Sequence, residues 1–237
     1  MESFPPALPH GALIEVFPDV FVVSGETRPE MMGASFQFSR NMIVVREAGG
    51  LTLVNTLRLD DAGLAALEAL GATRHIVRLG AFHGRDDAFY RDRYGATLWS
   101  LPGVADEHGA SVDRELVEGG PLPIGDASLF VFATAKLPEA VLRLERHGGI
   151  LVACDSLQNW VEPDAWFDAA STERMTAAGF FREANVGPGW ASAAEPQAED
   201  FARLRELPFA HLLPGHGRPL LDQAHAKLAA RFAELGL

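Results

Sequence analysis

The chain has 237 residues, enough for one domain with a substantial hydrophobic core. With 48% hydrophobic and 22% charged residues, its composition argues against the disordered and fibrous classes of protein. The net charge of -12 comes without a basic stripe, which argues against binding to the phosphate backbone of a nucleic acid. We predict a single domain over residues 1–237.

The terminus and the cysteine content indicate the cellular setting. The first residues show no basic segment followed by an apolar one, and no apolar run reaches the ~18 residues that a membrane span needs. The only cysteine, Cys154, ends the apolar run 150–154, so a disulfide cannot form within the chain and a buried thiol is expected. These features predict a cytoplasmic protein without membrane contact.

The first half of the sequence alternates predicted strands with predicted helices. Its strands are runs rich in β-branched and aromatic residues, at 11–17, 20–23, 41–46, 51–55, 75–79 and 98–101. The first four runs predict two hairpins. Asp60 is placed to cap a helix that ends at Gly71, because the leucines between them form one apolar stripe. A second helix ends at Gly95.

The second half repeats this order of elements without repeating the sequence. Its predicted strands lie at 128–132, 140–144, 150–154 and 211–213. Its predicted helices lie at 163–183, 196–206 and 219–235, with a break rich in glycine and proline at 185–189. Hairpins with helices inserted at two matching places predict an α/β (α+β) protein, in which two sheets pack face to face with helices outside.

Side chains of the kinds that bind metals follow three of the predicted strands. His83 and Asp87 follow strand 75–79, Asp155 follows the strand that contains Cys154, and His216 lies in a Pro-Gly-His-Gly turn. Imidazole and carboxylate bind zinc, iron and manganese, and a catalytic site needs about three protein ligands with an open position. Taken singly, His216 could be a hydrogen-bonded turn residue and Asp155 a helix cap.

With these residues in this order, the chain resembles the metallo-β-lactamase fold superfamily over most of its length. The shared order is an early hairpin region, a strand followed by a His-x-His-x-Asp-His segment, a later Pro-Gly-His-Thr segment, Gly-Asp after a strand, and Gly-His-Gly near the C-terminus. The resemblance implies a four-layer αββα sandwich. It also implies a site at the sheet edge, which usually holds two metal ions that activate a bridging water.

Several positions of the superfamily's motifs carry other residues here. If His83 takes the first position of the long motif, Arg85 replaces the second histidine, Ala88 replaces the last, and Asp87 keeps the aspartate. Lys136 stands where the third histidine would be. A shift by one residue would put Asp86 at the aspartate position, but we prefer the first register because it preserves a His/Asp pair at the superfamily's spacing.

These substitutions predict that the site binds at most one divalent metal ion, which would be zinc, iron or manganese. Arginine keeps its positive charge and repels a cation, so a dinuclear site is not expected. The predicted ligands are His83, Asp87, Asp155 and His216. In a metal-dependent hydrolase of an ester, lactone or phosphoester, His83 would be ligand or base beside Asp87, and Arg85 or Lys136 would stabilise the developing anion.

Two alternatives to this hydrolase remain open. Arg85 and Lys136 could pair with Asp87 and Asp155 in place of any metal, leaving an inactive member of the fold that binds a ligand, such as an anion, or a protein. An iron site that handles redox chemistry or oxygen is the other alternative. We predict a small molecule as substrate or ligand, and the sequence leaves the oligomeric state open, a homodimer included.

Overall fold

The computed structural model describes residues 4–31, 33–105 and 109–237. Its first half contains nine strands and two helices: β1 (Ile14–Phe17), β2 (Val20–Thr27), β3 (Glu30–Met31), β4 (Ala34–Ser35), β5 (Phe38–Glu47), β6 (Gly50–Val54), α1 (Asp61–Leu70), β7 (Thr73–Arg78), α2 (Asp87–Tyr94), β8 (Thr97–Ser100) and β9 (Arg114–Glu115). Its second half contains six strands and four helices: β10 (Ala127–Val131), β11 (Ala140–Leu144), β12 (Ile150–Val152), β13 (Leu157–Gln158), α3 (Ala169–Ala177), β14 (Asn185–Val186), α4 (Pro188–Ala194), α5 (Ala198–Arg205), β15 (His211–Leu213) and α6 (Ala224–Leu235). Among the described residues, no helix is long and apolar enough to cross a membrane.

Two sheets form the centre of the molecule. The larger has seven strands in the order β1-β2-β5-β6-β7-β8-β9, and the smaller has four in the order β10-β11-β12-β15. In the first, β5 and β6 make the predicted antiparallel hairpin, while β6, β7 and β8 run parallel because helices α1 and α2 connect them. In the second, β12 and β15 run parallel, so their carboxyl ends meet at one edge.

Alternating side chains of the strands separate the layers. On β5, Ile43 and Val45 belong to the core between the two sheets, whereas Met42 and Val44 belong to a second core beneath α1 and α2. A third core covers the outer face of the smaller sheet and includes Phe232 of α6. The layers are therefore helix, sheet, sheet and helix, which confirms the predicted αββα sandwich.

The predicted helices differ most from the structure near residue 180. The predicted helix 163–183 is too long at both ends, because α3 begins only after Asp168, whose side chain caps it on the Ser171 N–H, and ends at Ala177. The predicted break at 185–189 is correct over β14 and Gly187, but α4 already begins at Pro188, whose missing N–H costs no hydrogen bond in the first turn of a helix. The capped helix after Asp60 is confirmed, with the carboxylate accepting the Gly63 N–H.

Candidate metal centre

Three strand ends from both sheets meet at one edge of the sandwich. The segment after β7 joins the smaller sheet through the Ala140 N–H, which donates to the Leu79 carbonyl at 2.8 Å, and through a bridge between Gly80 and Glu139. The parallel strands β12 and β15 end beside it, with Val152 opposite Leu213. Because polar residues follow each of these strands, the edge gathers side chains that are far apart in the sequence.

His83, Asp155 and His216 form a compact buried cluster at this edge. His83 Nε2 lies 3.3 Å from Asp155 Oδ2, and His216 Nε2 lies 3.0 Å from Asp155 Oδ1. The two Nε2 atoms are 3.2 Å apart. The side chains of His83, Asp155 and His216 are 2%, 12% and 6% exposed. The structure thus brings together three of the four predicted ligands, although the carboxylate offers a different oxygen to each imidazole.

A backbone hydrogen bond fixes the tautomer of His216. Its Nδ1 lies 2.8 Å from the carbonyl oxygen of Ser39, which can only accept, so Nδ1 carries the proton. In a neutral imidazole, Nε2 is then unprotonated. Its lone pair faces the Asp155 carboxylate, whose Oδ1 lies 3.0 Å away. Two acceptors at this distance need a proton or a cation near them. A histidine that binds a metal through one ring nitrogen usually donates the N–H of the other nitrogen to a group such as a backbone carbonyl.

The charges of the cluster suit a cation. Burial lowers the pKa of His83, and the Asp155 carboxylate offsets this only in part. Burial by itself would raise the pKa of Asp155, but the imidazoles of His83 and His216 outweigh it and hold that pKa well below its usual range. The Asp155 carboxyl is therefore ionised and supplies the negative charge that a metal ion needs, while burial favours the neutral form of His83, which can donate a lone pair.

The turn that carries His216 is held by Asn41 of β5. The Asn41 side-chain amide donates to the carbonyls of Pro214 and Gly217 at 2.9 and 2.6 Å, and its backbone N–H donates to Gly215 at 2.8 Å. Gly217 has a φ of 84°, in the left-handed region that favours glycine. Asn41 is not among the predicted site residues, although a polar residue at the start of an apolar strand is a usable signal.

Cys154 and Glu139 border the cluster from the smaller sheet. The buried Cys154 Sγ donates to Asp155 Oδ2 at 3.3 Å, and ligand atoms of His83, Cys154 and Asp155 all lie within 4.8 Å of one another. Burial raises the pKa of the Cys154 thiol well above its ordinary value. Burial and the nearby Asp155 charge likewise raise the pKa of Glu139. The expectation that Cys154 is buried is confirmed, but its position also makes it a candidate ligand.

The other acidic residues of the long motif pair with arginines. Asp87 accepts a hydrogen bond from the Thr56 hydroxyl at 2.6 Å and lies 3.4 Å from Arg78 Nε, and both members of this ion pair are fully buried. Asp86 pairs with Arg40 and Arg85. The proposed pairing of Arg85 with Asp87 is corrected, because Asp86 takes the Arg85 guanidinium. The role of Asp87 as a metal ligand remains a prediction.

Lys136 pairs with a residue outside the cluster. Its ammonium pairs with Glu195 at 2.7 Å, and the side chain is 64% exposed. Its backbone N–H donates to the Ala194 carbonyl at the end of α4, and this contact keeps the segment on the outer surface. The proposed pairing of Lys136 with Asp155 is therefore wrong, while the role of Lys136 in stabilising an anion remains a prediction. Because α4 was not predicted, its contact with this segment could not be anticipated.

Two aromatic rings pack against the His216 ring. The rings of Trp160 and Phe38 lie 4.7 and 5.7 Å from the His216 ring, measured between centroids. The Trp160 indole donates to the Ser39 hydroxyl at 2.8 Å, so the residue that positions His216 is itself held in place. Phe82, next to His83, is 52% exposed and forms part of the surface beside the cluster.

Comparison with solved structures shows the fold of the chain. The metallo-β-lactamase DIM-1 exposed to ceftazidime has 15% identity and a TM-score of 0.61, covering 98% of this chain and 100% of its own. The mono-zinc form of FIM-1 from Pseudomonas aeruginosa has 15% identity and a TM-score of 0.59, with 98% of each chain covered. A β-lactamase domain protein from Burkholderia ambifaria has 17% identity and a TM-score of 0.57, covering 99% of this chain and 79% of its own. Comparison with protein families and with curated proteins gives no match. The chain has the metallo-β-lactamase fold.

Proposed function

We propose that this chain, whose fold is that of the metallo-β-lactamases, is a hydrolase that works with a single divalent metal ion, zinc in the first instance, held by His83, Asp155 and His216. The observation that carries the proposal is the meeting of their donor atoms at separations of 3.0 to 3.3 Å. Around a tetrahedral zinc ion with bonds of 2.0 to 2.1 Å, ligand atoms are about 3.3 Å apart. Each of the three separations is therefore close to the spacing of zinc ligands.

Each residue of the proposed metal site has a distinct role. The Ser39 carbonyl keeps the Nε2 lone pair of His216 directed at Asp155. The carboxylate supplies the negative charge, while the neutral His83 adds a second nitrogen donor. A bound zinc ion would polarise the scissile carbonyl or phosphoryl group and lower the pKa of a water molecule. Cys154 is a fourth donor within reach.

Neighbouring charges favour one metal ion over two. Arg40 and Arg85 contact Asp86, and Arg78 contacts Asp87, so guanidinium groups surround the acidic residues that follow His83. A fixed guanidinium repels a second cation because it cannot lose its proton. A mono-zinc form of one structural neighbour is consistent with a single ion in this fold. We propose an ester, lactone or phosphoester of a small molecule as the substrate.

Metal analysis of protein purified without chelator tests the proposal. We expect about one zinc, iron or manganese ion per chain, as a single set of three protein ligands implies, and a melting temperature that falls on chelation. His216→Ala should lose the ion. His225→Ala is the matched control, because His225 lies on α6 and contacts the Arg205 carbonyl instead of the cluster. The metal-loaded protein is then screened against generic esters, lactones and phosphodiesters.

Two outcomes would change the conclusion. Absence of stoichiometric metal, together with unchanged melting on chelation, would refute the proposed metal site. Stoichiometric metal without turnover of any substrate class would favour the second candidate, a module that binds a ligand. The low exposure of the cluster supports this candidate, since all three side chains are at most 12% exposed and offer a narrow approach.

A further inference from the structure

Glu139 is a buried carboxyl at the centre of the three strand ends, and the proposed hydrolysis leaves it without a task. It lies immediately before β11 and has no exposed surface. Its Oε1 accepts the backbone N–H groups of both Asp155 and Ser156, each at 2.7 Å. One oxygen therefore holds the two peptide groups from which the Asp155 side chain projects.

The second oxygen of Glu139 has an unusual environment. Among the described residues, Oε2 has no hydrogen-bond partner although it is buried. It occupies the space beside Gly80, where a Cβ would overlap Oε2 and would lie 3.0 Å from Cys154 Sγ. A buried polar atom without a partner is costly, and the missing side chain at Gly80 is what admits it. The fold thus keeps, next to the metal cluster, a buried carboxyl group with one oxygen that forms no described hydrogen bond.

We propose that Glu139 is a positioning residue of the metal site, one that orients the Asp155 carboxylate toward His83 and His216. The inference rests on the proposed function, because it gives the Asp155 turn a ligand-holding role. The two N–H bonds fix the backbone on both sides of the Asp155 Cα. With that backbone fixed, Asp155 Oδ1 and Oδ2 reach the two imidazoles at 3.0 and 3.3 Å. Partners of this kind commonly set metal affinity without touching the metal.

Asp200 offers a matched control within the same half of the chain. It is also buried, and its two oxygens accept the backbone N–H groups of Ala133 and Thr134 at 3.0 and 2.9 Å. It lies in α5 and holds a turn after β10, and its described bonds include none to the metal cluster. Losing either carboxylate should destabilise the fold, but only the loss of Glu139 should weaken metal binding.

The test compares zinc affinity, by competition with a chromophoric chelator, in Glu139→Ala, Glu139→Gln and Asp200→Ala. We expect the dissociation constant of zinc to rise about 10- to 100-fold in Glu139→Ala, the usual range for such partners. Glu139→Gln keeps an oxygen that accepts both N–H groups, so it should retain the wild-type affinity. Asp200→Ala should bind zinc as the wild type does, even where urea denaturation shows it to be less stable. The visible spectrum of the cobalt-substituted proteins reports altered ligand geometry independently of activity.

Gly80→Ala gives a second perturbation that leaves every hydrogen-bonding group in place. The added methyl should displace the Glu139 carboxyl and weaken zinc binding in the same direction, which keeps the test decisive if Glu139→Ala does not fold. Wild-type zinc affinity and cobalt spectrum in folded Glu139→Ala or Gly80→Ala would overturn the positioning role. A wild-type protein that binds no metal would instead refute the proposed function itself, so the two failures are distinguishable.

Discussion

Replacement of Asn41 by alanine should disturb the metal site without removing a ligand. The Asn41 amide donates to the carbonyls of Pro214 and Gly217, and its oxygen accepts the Ser24 hydroxyl at 2.6 Å. The residue is 1% exposed, so water does not readily replace these bonds. The turn that these bonds hold carries His216, so its loosening should reach the cluster.

The expected loss of stability follows from the bonds that are broken. Two buried carbonyl oxygens lose their donor, and each unsatisfied group costs about 1–3 kcal/mol. The Asn41 backbone N–H bond to Gly215 survives, which limits the damage. We expect the free energy of unfolding of the metal-free protein to fall by about 2–6 kcal/mol, and the affinity for zinc to fall as the turn becomes less ordered.

Two measurements separate these effects. Urea denaturation of the chelated protein gives the change in free energy, and chelator competition gives the zinc affinity of the folded protein. Asn185→Ala is the matched control, because Asn185 is also 1% exposed and its amide donates to the Gly179 carbonyl instead of to the turn that carries His216. Asn185→Ala should lower stability alone. Unchanged zinc affinity in folded Asn41→Ala would refute the proposed link between this turn and the metal.

The remaining predictions concern charged groups. Lys136→Ala should change neither metal content nor stability, because its partner Glu195 is an exposed surface residue. A loss of metal in this variant would show that Lys136 contributes to the site. Arg40→Met should lower the free energy of unfolding by about 3 kcal/mol, since Asp86 loses a buried partner, and equal urea midpoints would contradict this. In the chelated protein, burial raises the pKa of Glu139 above its ordinary value of 4.5, so the folded chain holds a proton that the unfolded chain releases. The contribution of Glu139 to stability is present below pH 4.5 and is lost as the pH rises through the pKa of the folded state. The free energy of unfolding of Glu139→Gln should lack this decline. The same dependence on pH in both proteins would contradict the prediction.

The sequence predicted the elements that depend on local chemistry. Asp60 and Gly71 mark the two ends of α1, which could be predicted because capping needs only a few neighbouring residues. His216 and Asp155 were placed correctly at strand ends, since both follow apolar runs that are too short for anything but buried strands. Long-range contacts were less accessible: the ion pair between Arg40 and Asp86 joins residues 46 positions apart, and a buried arginine has no local signature.

The polar residues around the site were missed for a related reason. Ser39 acts through its backbone carbonyl, which is the same in every residue type and so leaves no trace in the sequence. Glu139 follows a proline in a segment that looks like an exposed turn, and its burial depends on Gly80 of the other sheet. The prediction places Pro188 in a break between helices, because proline interrupts helices, although proline is also favoured at the first turn of a helix, where it stands in α4.

The proposed ligands come from widely separated parts of the chain, and this separation bears on the order of folding. His83 and His216 are 133 positions apart, and they belong to opposite sheets of the sandwich. A nascent chain that has folded only its first sheet therefore has one of the three donors and cannot retain a metal ion. Such distant contacts form slowly. Metal uptake would accordingly be one of the last events of maturation, and it would report that both halves had docked.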